Sequence, residues 1–248
     1  ELGRAYIFEQ TGIQFMSLNT LYQLVALARA GAPQLEVAEQ MLMMPDIFHY
    51  FLTGERVVEF TEATTSQCFN TRAGDWAWDL IDRVGLPRRI FSPTVPPGTV
   101  VGPLRPALAD DTGVGSLKVI TPASHDTGSA VAAVPAQGED WAYLSLGTWA
   151  LMGVEVRAPI ISAEALAANF TNEGGVDGTF RFLRNMTGLW PVQECRRVWA
   201  RADGQATSWD ELTSLAAAAE PFRSLVDPDD PTFLHPQDMP EAIRAYCR

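Results

Sequence analysis

The sequence is poor in cysteine, histidine and positive charge, and it has no long apolar run. Its three cysteines, Cys68, Cys195 and Cys247, stand far apart, with no CxxC spacing and no nearby histidine pair. That argues against a structural zinc site and suits reduced thiols. Lys and Arg number 18 against 30 Asp and Glu, a net charge of -12 with a pI near 4.6. Nucleic acid and anionic membrane surfaces both require clustered basic side chains, so neither is expected as a partner. No stretch approaches the roughly 20 apolar residues of a membrane span, and the first residues show no basic-then-apolar signal pattern. The nucleotide signatures GxxxxGKS/T and GxGxxG are missing, as is the GxSxG elbow of serine hydrolases.

What is present is an ordinary globular balance, with 47% hydrophobic and 19% charged residues in 248. Five helices are expected in the first 90 residues. One runs from Asn19 as cap to Gly31 as stop, with Leu21, Leu24, Val25 and Ala28 on one face. Others cover Leu35–Leu42, Asp46–Leu52 after Pro45, Thr61–Phe69 with Thr61 as cap, and the stretch from Asp75 to Gly85. Residues 92–116 are rich in Pro and Gly and read as a long connection with a short strand near 99–102. The character then becomes α/β. Leu117–Ile120 reads as a buried strand and Ser129–Val134 as a tightly packed helix. Trp141–Leu146 and Trp149–Glu155 read as strands joined at Gly147-Thr148. Residues 171–178 read as a loop, 179–184 as a strand and 186–202 as a helix. Ser208 to Glu211 has capping-box spacing, and 221–240 is loop.

The chemistry concentrates in Ser124-His125-Asp126-Thr127-Gly128. A carboxylate at a strand end facing a crevice is where α/β folds put reactive groups, and Asp126 could act as a general base toward a hydroxyl. It could equally cap the following helix, as could Ser124. His125 reads either as a hydrogen-bond donor or as a structural histidine. Three consecutive residues cannot converge as a Ser-His-Asp triad. Gly147-Thr148 could present amides and a hydroxyl to a phosphate, or simply join a hairpin. Asn172, Glu173, Gly174, Gly175 and Asn185 form a polar group that either lines a sugar or metal–phosphate site or is surface loop.

Taken in order, these segments resemble the FGGY carbohydrate kinases. The resemblance is carried by Thr11-Gly12-Ile13-Gln14-Phe15, Leu52-Thr53-Gly54, Glu62-Ala63-Thr64-Thr65-Ser66-Gln67, Ser124-His125-Asp126-Thr127-Gly128, Leu144-Ser145-Leu146-Gly147-Thr148-Trp149, Asn172-Glu173-Gly174-Gly175 and Asn185-Met186-Thr187-Gly188-Leu189-Trp190. Within that family the chain is similar to the branch that acts on L-rhamnulose. The resemblance implies an α/β fold of the actin/Hsp70/sugar-kinase (ribonuclease H-like) type in two domains, with the first ending near 118 and the second running over 119–248. It implies transfer of the γ-phosphoryl group of ATP, with Mg²⁺, to the 1-hydroxyl of the ketose, in the cytoplasm. It makes Asp126 the catalytic base, and puts His125, Thr127 and Asn185 at the sugar. It puts Thr148 at the ATP phosphates and Gln193 near the nucleotide, and assigns no metal ligand. The family's Asp-x-Gly phosphate turn and Gly-rich adenine segment have no counterpart here. The chain is therefore expected to be a piece of a longer one, truncated at both ends, with little kinase activity alone.

Overall fold

The computed structural model describes residues 2–138 and 140–248. They divide into two compact units, Glu1–Tyr143 with Gly153–Arg184, and Leu144–Met152 with Asn185–Arg248.

The first unit opens with helices α1 (Arg4–Thr11), α2 (Thr20–Arg29), α3 (Pro33–Val37) and α4 (Met44–Thr53). In α2 the expected face is buried: Leu21 and Leu24 lie in the core with Val25 and Ala28 packed beside them. Asn19 stands at its N-cap but does not cap it; the amide instead donates to the Gln14 carbonyl (2.8 Å) and to Gln67 Oε1 (3.1 Å). Helix α3 stops at Val37, short of the expected Leu42. The Arg89 guanidinium takes the carbonyls of Leu35, Glu36 and Ala38, and Ala38 is extended. Helix α4 starts with Pro45 in its first turn and ends at Gly54 in the left-handed region (φ 87°).

Next come β1 (Val58–Glu59), α5 (Phe60–Thr65), β2 (Phe69–Asn70), β3 (Asp75–Trp76) and α6 (Trp78–Arg83). The expected helix 61–69 is cut short, because Phe69 pairs with Trp76 across an antiparallel β2–β3 ladder. The same pairing delays α6 to Trp78. Phe69, Trp76 and Phe91 stack edge-on at centroid distances of 5.5 and 4.9 Å. With Leu80, Ile81 and Ile90 they form the main core, each aliphatic side chain contributing about 1.5–3 kcal/mol by burial.

The stretch 92–116 holds the expected short strand as β5 (Val100–Pro103), and in addition β4 (Thr94–Val95) and α7 (Pro106–Thr112) where a connection was expected. β4 runs parallel to β1. β5 pairs antiparallel with β6 (Lys118–Ile120), and the pair is closed at its base by Thr121 N donating to Thr99 O (2.9 Å). The expected division at 118/119 falls inside this pair. Far from being buried, β6 exposes Lys118 and Ile120, because only one strand flanks it. Helix α8 (Asp126–Ala132) follows.

Strands β7 (Tyr143–Leu146), β8 (Trp149–Val156), β9 (Thr171–Gly174) and β10 (Phe180–Thr187) form one sheet in the order β7-β8-β10-β9, with the short α9 (Ala163–Ala167) between β8 and β9. β9 corrects the loop expected there: all four of its residues are buried. The amide of Asn172 is satisfied internally. Asn172 accepts from Ile160 N (2.6 Å) and donates to Gly12 O (2.9 Å). Gly174 is required by close approach, since a Cβ there would meet the Phe60 ring at 2.6 Å.

In the second unit, α10 (Trp190–Asp203) and α12 (Met239–Tyr246) enclose a small core of Cys195, Phe233 and Met239, flanked by Trp190, Trp199 and Ile243. Between them α11 (Trp209–Ala218) is capped as expected, Ser208 Oγ accepting from Glu211 N (3.1 Å). Among the described residues, no helix is long and apolar enough to cross a membrane.

Candidate active site

The turn into α8 is held from outside the helix. Ser124 N donates to Glu59 Oε2 (3.0 Å) and His125 N to Thr61 Oγ1 (3.2 Å), while Ser129 Oγ donates to Ala123 O (2.7 Å). His125 occupies the N-cap position, but its side chain makes no cap bond, and Asp126 is the first helical residue. The N-cap position is therefore held by neither Ser124 nor Asp126, although Asp126 still serves a first-turn amide. Among the described residues Asp126 Oδ1 accepts only from its neighbour Thr127, through the amide (2.6 Å) and the hydroxyl (3.2 Å). Thr127 is buried, whereas Asp126 is exposed and its Oδ2 makes no hydrogen bond among the described residues.

The His125 ring turns toward the sheet. Its Nδ1 lies 2.7 Å from Arg181 Nη2 and 3.3 Å from Glu173 Oε2, and Arg181 bridges the two by a further 3.2 Å contact with Glu173. Burial disfavours a charged imidazole here, but Glu173, by hydrogen bond and by charge, outweighs it and raises the His125 pKa above its usual value. In the neutral ring Nδ1 accepts from Arg181, so the proton resides on Nε2; in the charged ring Nδ1–H has Glu173 as acceptor. Arg181 is wholly buried and also donates from Nε to Gly174 O (3.0 Å). Glu62 completes the acidic surroundings: burial raises its pKa, and the charges of Glu59, Glu173 and Asp126 raise it further against the opposing pull of His125.

The second unit brings Thr148 and Gln193 together, Nε2 of Gln193 lying 3.1 Å from the Thr148 hydroxyl. The Gly147-Thr148 turn is fixed on the start of α10, because Leu189 N donates to Gly147 O (2.8 Å) and Gly188 N to Thr148 O (3.0 Å). Any Cβ on Gly188 would come within 2.6 Å of Gly147 O. Beside the turn is a cavity of about 240 Å³ lined by Thr148, Trp149, Thr187, Trp190, Leu234 and His235. Asn185 lies half-buried on β10 in the same unit. Among the described residues, no group of three His, Cys, Asp or Glu side chains could hold a metal ion.

The model of the FGGY family of carbohydrate kinases matches this chain twice, its N-terminal domain over residues 1–133 and its C-terminal domain over 142–247. The chain belongs to the FGGY family. This FGGY chain is 48% identical over 247 residues to a rhamnulokinase of Bacteroides thetaiotaomicron, covering 100% of itself and 50% of that protein. A rhamnulokinase of Oceanobacillus iheyensis is 45% identical over 250 residues, with 51% of it covered. The chain thus spans about half the length of the curated relatives it matches. Among solved structures it is similar to a ligand-bound xylulose kinase from Lactobacillus acidophilus, with a TM-score of 0.70 at 19% identity, covering 88% of this chain and 43% of that one. A xylulose kinase from Rhodospirillum rubrum gives a TM-score of 0.68 at 20% identity over 89% of this chain and 44% of that one. The fold is the actin-like α/β fold of FGGY sugar kinases.

Within this FGGY chain, sequence reasoning named His125, Asp126 and Thr127 and the pair Thr148 and Gln193, but missed Glu59, Thr61 and Arg181. One signal for Arg181 was available. It shares a strand face with Leu183 in an alternating run, which puts a cation on the buried side. Glu59 carries no comparable local mark, and Thr61 was marked only as a helix cap, a position that Glu59 holds instead.

Proposed function

We propose that these residues are part of an ATP-dependent kinase that transfers the γ-phosphoryl group of ATP to the 1-hydroxyl of L-rhamnulose. The observation that carries this reading is identity of 40–48% to rhamnulokinases along essentially the whole chain. Asp126, exposed at the start of α8, takes the proton of the 1-hydroxyl as that oxygen bonds to phosphorus and the bond to ADP breaks. His125 donates from Nε2 to a ketose oxygen, with Asn185 as a further sugar contact. Thr127 serves the sugar chiefly by orienting the Asp126 carboxylate. The Thr148 hydroxyl meets the phosphates of ATP, Gln193 lies near the nucleotide, and the indoles of Trp149 and Trp190 suit a flat base. Mg²⁺, if it accompanies the nucleotide, would be carried chiefly by the phosphates and would neutralise their charge, so no cage of three carboxylates would be needed here. A sugar and a nucleotide are then the partners, and the cytoplasm, where ATP is found, is the place of work.

The test uses a polypeptide of the relatives' length that contains these residues, in a coupled assay with L-rhamnulose, L-xylulose, L-fuculose and glycerol. L-Rhamnulose is expected to give the highest kcat/KM, and Asp126→Asn to lower kcat by about 10²- to 10⁴-fold. A preference for another acceptor replaces the substrate assignment with that of a different FGGY kinase. Undiminished turnover by Asp126→Asn removes the base role.

A further inference from the structure

Glu59 is fully buried, yet its carboxylate serves four donors. Two of them, Thr61 N (2.9 Å) and Glu62 N (3.2 Å), are the free amides at the start of α5. Ser, Asp or Asn would serve them as well or better, since short side chains are the preferred caps. The longer glutamate adds reach. Its Oε2 also accepts from Ser124 N (3.0 Å), 65 positions along the chain, and from the Thr61 hydroxyl (2.5 Å). With its proton committed to Glu59, that hydroxyl has its lone pairs free to accept from His125 N (3.2 Å). Two consecutive amides immediately before Asp126 therefore end on Glu59, one directly and one through a single hydroxyl. Glu59 is itself fixed, because its own amide donates to Asp46 Oδ1 (3.1 Å).

We infer that Glu59 and Thr61 are positioning residues for the Asp126 carboxylate, acting through the backbone of Ser124 and His125. The inference rests on the reading of Asp126 as the reacting group. Both residues are buried away from any ligand, so their effect on the reaction passes through the peptide planes that set the Asp126 Cα. Glu59→Gln would turn an NH₂ group toward backbone donors at the cost of the helix cap as well. Thr61→Val is the cleaner probe, removing the hydroxyl while keeping the shape.

In the intact kinase, Thr61→Val is expected to lower kcat about 10- to 100-fold, the scale of a misplaced reacting group, with the KM for ATP within about 2-fold of the parent. Thr61→Ser should restore turnover. The decisive measurement is Thr61→Val in an Asp126→Asn background. If Thr61 acts through Asp126, the second change adds no more than about a 2-fold loss. An equal loss in both backgrounds, or no loss in the first, overturns the inference and leaves the base role of Asp126 standing. Normal turnover by Asp126→Asn alone overturns both together.

Discussion

Among the described residues Arg181 is the largest side chain wholly withdrawn from solvent, and its charge is met by Glu173, His125 and the Gly174 carbonyl. A buried cation with several partners is costly to remove, because the partners remain buried without it. Arg181→Met is expected to lower the unfolding free energy by about 3–5 kcal/mol, read from urea denaturation. Arg181→Lys should recover only part, since a single ammonium cannot reproduce the guanidinium fork. A loss below about 1 kcal/mol for the methionine variant would show that the pair is exposed in solution. Residues of this kind divide what was legible from what was not. His125 and Asp126 announce themselves by type and by position at a strand–helix junction. Arg181 and Glu59 matter for whom they touch, and those partners lie 56 and 65 positions away.

At the level of elements, α4 and β1 are joined by one carboxylate. Asp46, in the first turn of α4, accepts from Met43 N (3.3 Å) and from Glu59 N (3.1 Å). Burial is the main cause that raises its pKa to about 7, the two backbone donors opposing it. A carboxyl group with a folded pKa above its unfolded value binds more protons when folded. Its contribution is complete below the unfolded pKa and is lost as pH rises toward about 7. Denaturation midpoints should therefore fall between pH 4 and 7, with Asp46 adding a slope of up to about 1.4 kcal/mol per unit. Asp46→Asn should flatten that part of the slope, and an unchanged slope in the variant would count against it. Elements were legible where one local signal sufficed, as with the Leu21/Leu24 face of α2, the Pro45 start of α4 and the Ser208 cap of α11. They were misread where tertiary partners decided. Arg89 stops α3, Trp76 draws Phe69 out of the helix, and β9 buries Asn172 because Ile160 and Gly12 supply what water would have supplied elsewhere.

The whole molecule carries a net charge of -12. Self-repulsion at that level opposes compactness, and it is screened beyond about 10 Å at 0.1 M salt. Raising sodium chloride from about 10 to 200 mM should lift Tm by roughly 2–4 °C, the equivalent of about 1 kcal/mol in a chain of this size. A flat or falling Tm would mean that the attractive pairs outweigh the excess.

The β5–β6 hairpin ends in a wholly exposed tip at Gly113–Leu117, while its base is clasped by Thr99 and Thr121, just ahead of the turn that carries Asp126. Extra chain at the tip costs only loop-closure entropy, about 0.6 kcal/mol for each doubling of length. The tip is thus a graft point, where a peptide tag or an inserted domain can be carried outside the Thr99–Thr121 clasp.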